Sequence, residues 1–415
     1  MSLAIRGALL DGVRVGLRVE DGLIAELGPS VEARPGDEVI EAEGLLLSPP
    51  MVNGHTHAAM TLFRGFGDDM PLMEWLRTKI WPAEAKLEPE DVYWGTRLAC
   101  IEMIRSGTTR FFDMYWHGPE VARAVTDSGI RAAVSSVLID EMDAAKGEGM
   151  RAAALESLDR IAEAGPRVVP ALGPHGIYTV SAESLRWIAE VGAEREIPIQ
   201  IHLSETEQEV SDCVEAHGKR PAAYLEELGF LGPRTVLAHG VWLDRSELAL
   251  IAERGATVVT NPAANMKLAV GGVFPYPAAD QAGVAIGLGT DGVSSNSNLD
   301  MFEEAKILAL AQKHASGDPS TLPAPEALAI ARGRRSPVLG GAVLAVGEPA
   351  DLLLLRASDP ELSAGDPDSD LVYAASGSVV DATVVAGEVL MRDRIVPGAE
   401  QAVEEVRSRA SRLTR

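Results

Sequence analysis

The chain has 415 residues, 46% hydrophobic and 24% charged, a balance that excludes wholesale disorder. Lys+Arg number 37 and Asp+Glu 61, so the formal net charge is −24. With the basic residues scattered singly, nucleic acid and anionic membranes are excluded as expected partners. Cys100 and Cys213 form no C-x-x-C pattern, no apolar run approaches the ~18–20 residues of a membrane span, and Met1–Arg6 does not open like a signal peptide. The expectation is a cytoplasmic enzyme.

The first 50 residues read as short β segments. Ala4–Leu9, Arg14–Glu20 and Leu23–Leu27 are separated by Asp11-Gly12 and Asp21-Gly22, both hairpin-type turn signals. The middle of the chain alternates strand-length apolar runs with stretches of helical period, the pattern of parallel βα units. Eight strands are predicted, at Leu47–Val52, Thr109–Asp113, Ala132–Ile139, Val168–Leu172, Ile199–Ile201, Thr235–Ala238, Thr257–Val259 and Val284–Leu288. Helical patterns lie between them at Asp91–Arg105, Val121–Asp127, Met150–Ala164, Glu183–Glu194 and Ser246–Arg254, and the Gly- and Pro-rich interval Gly271–Ala282 is the weakest. The β texture returns at Leu352–Leu355, Leu371–Tyr373, Val379–Val385 and Glu388–Met391. The predicted fold is α/β: a (β/α)₈ TIM-type barrel over residues 51–340. A small β-sandwich-like domain is expected from both chain ends, 1–50 and 341–415.

Active-site residues of such barrels come from the C-terminal ends of the strands. Those ends carry His55 and His57, Asp113, Asp140, His175, His202, His239, Asn261 and Asp291, which include five of the chain's eight histidines. In His55-Thr56-His57, residues i and i+2 of an extended segment project to one face, so both imidazoles can reach one metal. Alone the pair would read as a polar loop after a strand, but His202 and Asp291 add a neutral nitrogen and an anionic oxygen. The resulting His₃Asp set suits one divalent metal, zinc or Fe²⁺, and leaves a position for water. Glu205, three residues beyond His202, can reach an activated water and a nearby ring nitrogen as general acid and base, or can simply open the following helix. His239 reads as a group orienting that water, or as a buried structural histidine.

Together His55-Thr56-His57, His202-Leu203-Ser204-Glu205, His239-Gly240 and Thr290-Asp291-Gly292 resemble the amidohydrolase superfamily in its nucleobase and nucleoside deaminase branch. The flanks Val52-Asn53-Gly54-His55, Gly173-Pro174-His175, Asn261-Pro262-Ala263-Ala264-Asn265-Met266-Lys267-Leu268 and Leu299-Asp300-Met301-Phe302-Glu303-Glu304 are similar to those of 5′-methylthioadenosine/S-adenosylhomocysteine deaminases. The resemblance implies that His55, His57, His202 and Asp291 bind the metal. It implies that Asp291 takes a proton from water, Glu205 protonates the purine ring and His239 helps to hold the attacking oxygen. Glu84 and His175 correspond to groups that contact the nucleoside, and Pro71–Leu76, with Trp75, to a segment over the substrate. As partner it implies a small-molecule nucleoside, and it leaves room for a homo-oligomer.

The chain departs from the pattern where relatives hold a homocysteine tail with two arginines: Ser136 and Glu148 stand there, with Lys146 and Arg151 nearby, and Ala264 replaces a serine. Substrates without a charged 5′ tail are therefore expected to be preferred. Two other readings compete with the adenosine-type deaminase: a guanine or pterin deaminase or triazine-type hydrolase on the same metal site, and a catalytically inactive barrel scaffold.

Overall fold

A computed structural model describes residues 2–363 and 366–415. Eight strands, β1 (Met51–Thr56), β2 (Thr108–Asp113), β3 (Arg131–Leu138), β4 (Val168–Pro174), β5 (Ile199–Leu203), β6 (Thr235–His239), β7 (Thr257–Thr260) and β8 (Ala285–Leu288), lie in chain order, each parallel to the next. The Asp291 amide donates to the His55 carbonyl at 3.0 Å and draws β8 onto β1. That approach is so close that a Cβ on Gly289 would lie 2.7 Å from the His55 carbonyl oxygen, so only glycine fits.

Alternation along each strand sorts side chains to two sides. On β5, Ile199, Ile201 and Leu203 join the core beneath the helices, which leaves Gln200 and His202 on the inward face. The barrel floor is closed by Val52, Phe112, Ala133, Val236, Val259 and Leu339, a separate apolar cluster. The helices start where the sequence supplies caps. Pro89–Arg105 has proline at its first position and a reciprocal Glu88/Asp91 capping box, and the side chains of Ser181, Thr206 and Asp244 cap Ala182–Glu194, Glu207–His217 and Arg245–Arg254.

Both chain ends build a second sheet of eight strands. Ser2–Leu10, Val13–Glu20, Leu23–Gly28, Glu38–Glu41 and Leu45–Ser48 come from the start, and Leu352–Arg356, Val380–Val385 and Glu388–Met391 from the end. The halves meet where Leu45–Ser48 pairs antiparallel with Leu352–Arg356. Residues of both halves, among them Leu3, Leu17, Val19, Leu352 and Val384, form the sheet's own apolar core.

Four features differ from the sequence reading. The predicted strand Leu47–Val52 straddles two strands in two sheets, Leu45–Ser48 and β1, because Pro49-Pro50 interrupts the ladder between them. Leu371–Tyr373 ends a helix, Pro367–Tyr373, whose start is set by the Asp366 cap and a proline at the first position. A helix over Ala399–Leu413 and the strand Glu38–Glu41 were not anticipated. That last helix docks on Pro89–Arg105, where the fully buried carboxylate of Asp91 pairs with Arg409 at 3.0 Å and with Arg412.

Candidate active site and metal centre

The C-terminal mouth of the barrel opens into a pocket of about 720 Å³, counting its open entrance. Its walls include His57, Trp75, Glu84, His175, His202, Glu205, His239 and Asp291, and His55 lies fully buried beneath them. The residues read as metal ligands, proton-transfer groups and nucleoside contacts thus fall at or under one pocket. Asp113 and Asp140, also at strand ends, do not join it. Asp113 turns back to accept the Ala58 amide, and Asp140 accepts from Met142 and Ser181.

At the pocket floor the ring nitrogens converge. His55 Nε2 lies 3.1 Å from His202 Nε2, and His202 Nε2 lies 3.3 Å from His57 Nε2. Asp291 Oδ1 is 3.0 Å from His57 Nε2 and 3.6 Å from His55 Nε2. His239 belongs to the same cluster, because donor atoms of His55, His202, His239 and Asp291 all lie within 4.8 Å of one another.

The far side of each ring decides what these nitrogens can do. His57 Nδ1 faces the Met114 carbonyl and His202 Nδ1 the His175 carbonyl, both at 2.6 Å, while His55 Nδ1 faces Gln200 Oε1 at 3.2 Å. Each Nδ1 must donate, so each ring in its neutral form presents its Nε2 lone pair to the same point. Three lone pairs and a carboxylate facing one another in a buried site repel unless a cation stands among them. The donor set therefore fits a divalent metal of the kind that takes nitrogen and oxygen ligands.

Electrostatics sharpen the picture. Burial pushes His202 well below its ordinary pKa and His55 down to about 4. Burial opposes charge on His57 too, but its hydrogen bond to Asp291 prevails and raises it to about 9, so that a proton on its Nε2 stands where a metal cation would otherwise neutralise the carboxylate. Asp291 stays well below the usual carboxylate range despite burial, because His55 and His57 hold it ionised. Ser295 Oγ donates to its other oxygen, Oδ2, at 2.5 Å. Glu205 goes the other way, pushed up to about 8 by burial and then by the charge of Asp291. Two carboxyl groups of one pocket are thereby set to opposite protonation states at neutral pH.

Local backbone supports this layout. Ser204, His239 and Asp291 all adopt left-handed φ, at 51°, 73° and 58°, a region costly for residues other than glycine. The turn at Ser204 is held by Glu209, whose two carboxyl oxygens accept from the amides of Ser204 and Glu205, each at 2.9 Å. Glu205 Oε1 comes within 3.9 Å of His239 Nδ1, which also faces Asn265 Oδ1 at 2.8 Å.

The rest of the pocket is suited to an organic ligand. Leu72, Leu76 and Ile80 form an apolar roof with Trp75, whose Nε1 donates to the Phe66 carbonyl. Glu84 is raised by burial and accepts from Trp116 Nε1 at 3.3 Å. Val137, Ile139 and Tyr178 continue the wall, and among the described residues no lysine or arginine lines it. Lys146 is paired with Glu141, and Arg151 with Glu183 and Ser184, so both are engaged elsewhere. Gln200, Ser295 and Glu209 were missed as site residues. Gln200 left a trace, a polar residue on the inward face of an otherwise apolar strand, two positions before His202. Ser295 and Glu209 left none, because their roles depend on how the loops fold back.

Known proteins bear on this site. The model of the amidohydrolase family matches residues 46–390. A 5′-deoxyadenosine deaminase of Methanoregula boonei is 49% identical over 94% of this chain and 90% of that protein. The 5-methylthioadenosine/S-adenosylhomocysteine deaminase 1 of Archaeoglobus fulgidus is 42% identical over 97% and 96%. Among solved structures, an adenosine deaminase from Xanthomonas campestris with bound zinc superposes with a TM-score of 0.91 at 33% identity, covering 99% of this chain and 98% of that one.

Proposed function

This chain belongs to the amidohydrolase family, and from that premise we propose a metal-dependent hydrolytic deaminase of adenosine-type nucleosides, acting best where the 5′ group is uncharged. The reading is carried by one observation: Glu205, raised by burial, and Asp291, held low by His55 and His57 despite burial, face a single pocket whose far wall carries Glu84 and, among the described residues, no lysine or arginine. We take residues 51–340 as the catalytic barrel, supported by 1–50 and 341–415.

His55, His57, His202 and Asp291 would hold the metal, with His239 beside them, and we assign it as zinc. A zinc ion in such a site lowers the pKa of water and so supplies a nucleophile at neutral pH. The protein's own groups carry the remaining steps. Asp291 takes a proton from the attacking water, and His239 orients its oxygen. Glu205 delivers its proton to the ring nitrogen N1 as oxygen bonds to C6. The amino group then takes the proton from Asp291 and leaves as ammonia. The new hydroxyl returns its proton to Glu205, which gives the inosine analogue and restores both carboxyl groups. Glu84 and His175 bind the nucleoside beyond the base, and Trp75 closes over it, excluding water.

The 5′ preference follows from the wall at Val137 and Ile139. A carboxylate tail placed there finds no guanidinium, and a hydrogen bond to a charged group is worth about 1.5–3 kcal/mol. At ~1.4 kcal/mol per decade, S-adenosylhomocysteine should have a kcat/KM roughly tenfold or more below that of 5′-deoxyadenosine or 5′-methylthioadenosine. The test is a side-by-side ultraviolet assay of these nucleosides and adenosine. Turnover of none of them would overturn the deaminase reading, and a preference for S-adenosylhomocysteine would overturn the 5′ assignment.

A further inference from the structure

We propose that Gln200 is a positioning residue of the metal centre. Through its side-chain oxygen it holds His55 in the tautomer that turns the bare Nε2 toward the metal. The inference rests on the metal site proposed above and concerns a residue that neither lines the pocket nor offers a ligand.

Gln200 is buried on the inward face of β5, one layer beneath His202, and its amide can point only one way. Nε2 lies 2.7 Å from the Asp113 carbonyl, which can only accept, and 2.6 Å from Ser135 Oγ. The nitrogen must therefore be on that side, and both its hydrogens are used. Oε1 is left to face His55 Nδ1 at 3.2 Å, and as an amide oxygen it can only accept. The proton of a neutral His55 ring is thus fixed on Nδ1. If Gln200 were absent, either nitrogen could carry that proton, and with Nε2–H the ring turns no lone pair toward the other ligands.

His57 and His202 obtain the same orientation from backbone carbonyls, which substitution cannot remove. His55 alone depends on a side chain, so the contribution of tautomer control to metal binding can be measured at this one ring. Partners of this kind typically contribute 10–100-fold in metal affinity.

The experiment measures zinc affinity by competition with a chromophoric chelator in wild-type protein, Gln200→Met and Ser135→Ala, with melting temperatures alongside. Gln200→Met keeps the length and removes the acceptor, so zinc should bind about 10–100-fold more weakly. Ser135→Ala removes a partner of Gln200 but leaves His55 its acceptor. It should lower the melting temperature while affinity stays close to wild type. Affinity that tracks melting temperature in both variants, or Gln200→Met binding zinc like wild type, would overturn the proposal. A second measurement needs no variant and covers a Gln200→Met protein that does not fold. Nitrogen-15 shifts of the histidine rings in metal-free wild-type protein should show His55 protonated on Nδ1, and protonation on Nε2 would overturn the assignment. If wild-type protein binds no zinc at all, the metal site itself fails, a result distinct from either outcome.

Discussion

The residues at the floor and at the mouth of the barrel are comparably buried and chemically opposite. At the floor, Val52, Phe112, Val259 and Leu339 fill the interior with hydrocarbon. At the mouth the buried groups are imidazoles and carboxylates, with His55 at 0% and Asp291 at 5% exposure. Burial of the floor is favourable in itself, at about 25 cal/mol per Å² of apolar surface. Burial of the mouth is costly, and fixed partners offset it: backbone carbonyls, Gln200, Ser295 and Asn265. Left-handed backbone occurs at three mouth residues and at none of the six that close the floor. One barrel thus separates its two tasks along its axis, with stability at one end and chemical readiness at the other.

Substitutions at the two ends should therefore fail in opposite ways. The largest effect is expected from Glu205→Gln, which keeps shape but removes the proton. kcat should fall by ~10²–10⁴-fold while metal content, measured by elemental analysis, stays at the wild-type level. Loss of the metal would break the comparison by making Glu205 part of the binding site. At the floor, Phe112→Ala should cost about 3–5 kcal/mol in denaturant unfolding and leave kcat/KM of the folded enzyme nearly unchanged. A large kinetic defect would show that floor packing sets the geometry of the mouth.

The smallest effect concerns pH. Burial raises Glu209 and Glu304 to about 8 each, so both keep protons in the folded chain that the unfolded chain has already released at pH 7. The folded state binds more protons, and stability falls with rising pH at roughly 1.4 kcal/mol per unit for each proton held. That contribution is complete below the ordinary glutamate range and is lost as pH passes through about 8. The melting temperature of the metal-free protein should accordingly decline between pH 7 and 9, and Glu304→Gln should flatten the slope. A rise over that window would contradict the assignment.

What was legible in the sequence follows the same division. β2 through β8 were readable to within a few residues because apolar runs of strand length alternating with stretches of helical period are local signals. β1 was misplaced because continuous hydrophobicity ran across Pro49-Pro50 into a second sheet. The His-x-His spacing and the strand-end histidines were visible because ligands on strands inherit the strand's alternation. Gln200, Ser295 and Glu209 act through partners 4 to 145 residues away, on other strands or across folded loops, which no spacing along the chain encodes. The helix at 399–413 escaped notice because its apolar residues are sparse and its attachment to Asp91 is ionic.

The sheet shared by both chain ends also sets a timetable for synthesis. Leu45–Ser48 finds its neighbour in Leu352–Arg356, about 300 residues later. At ~5–20 residues per second that strand edge waits roughly 15–60 s on the ribosome with its backbone groups unpaired. Meanwhile the whole barrel emerges beside it. An open, leucine-rich edge is a template for pairing with a neighbouring chain. The architecture that joins both halves of the finished enzyme's second sheet therefore makes its nascent chain dependent on a strand made only after residue 351.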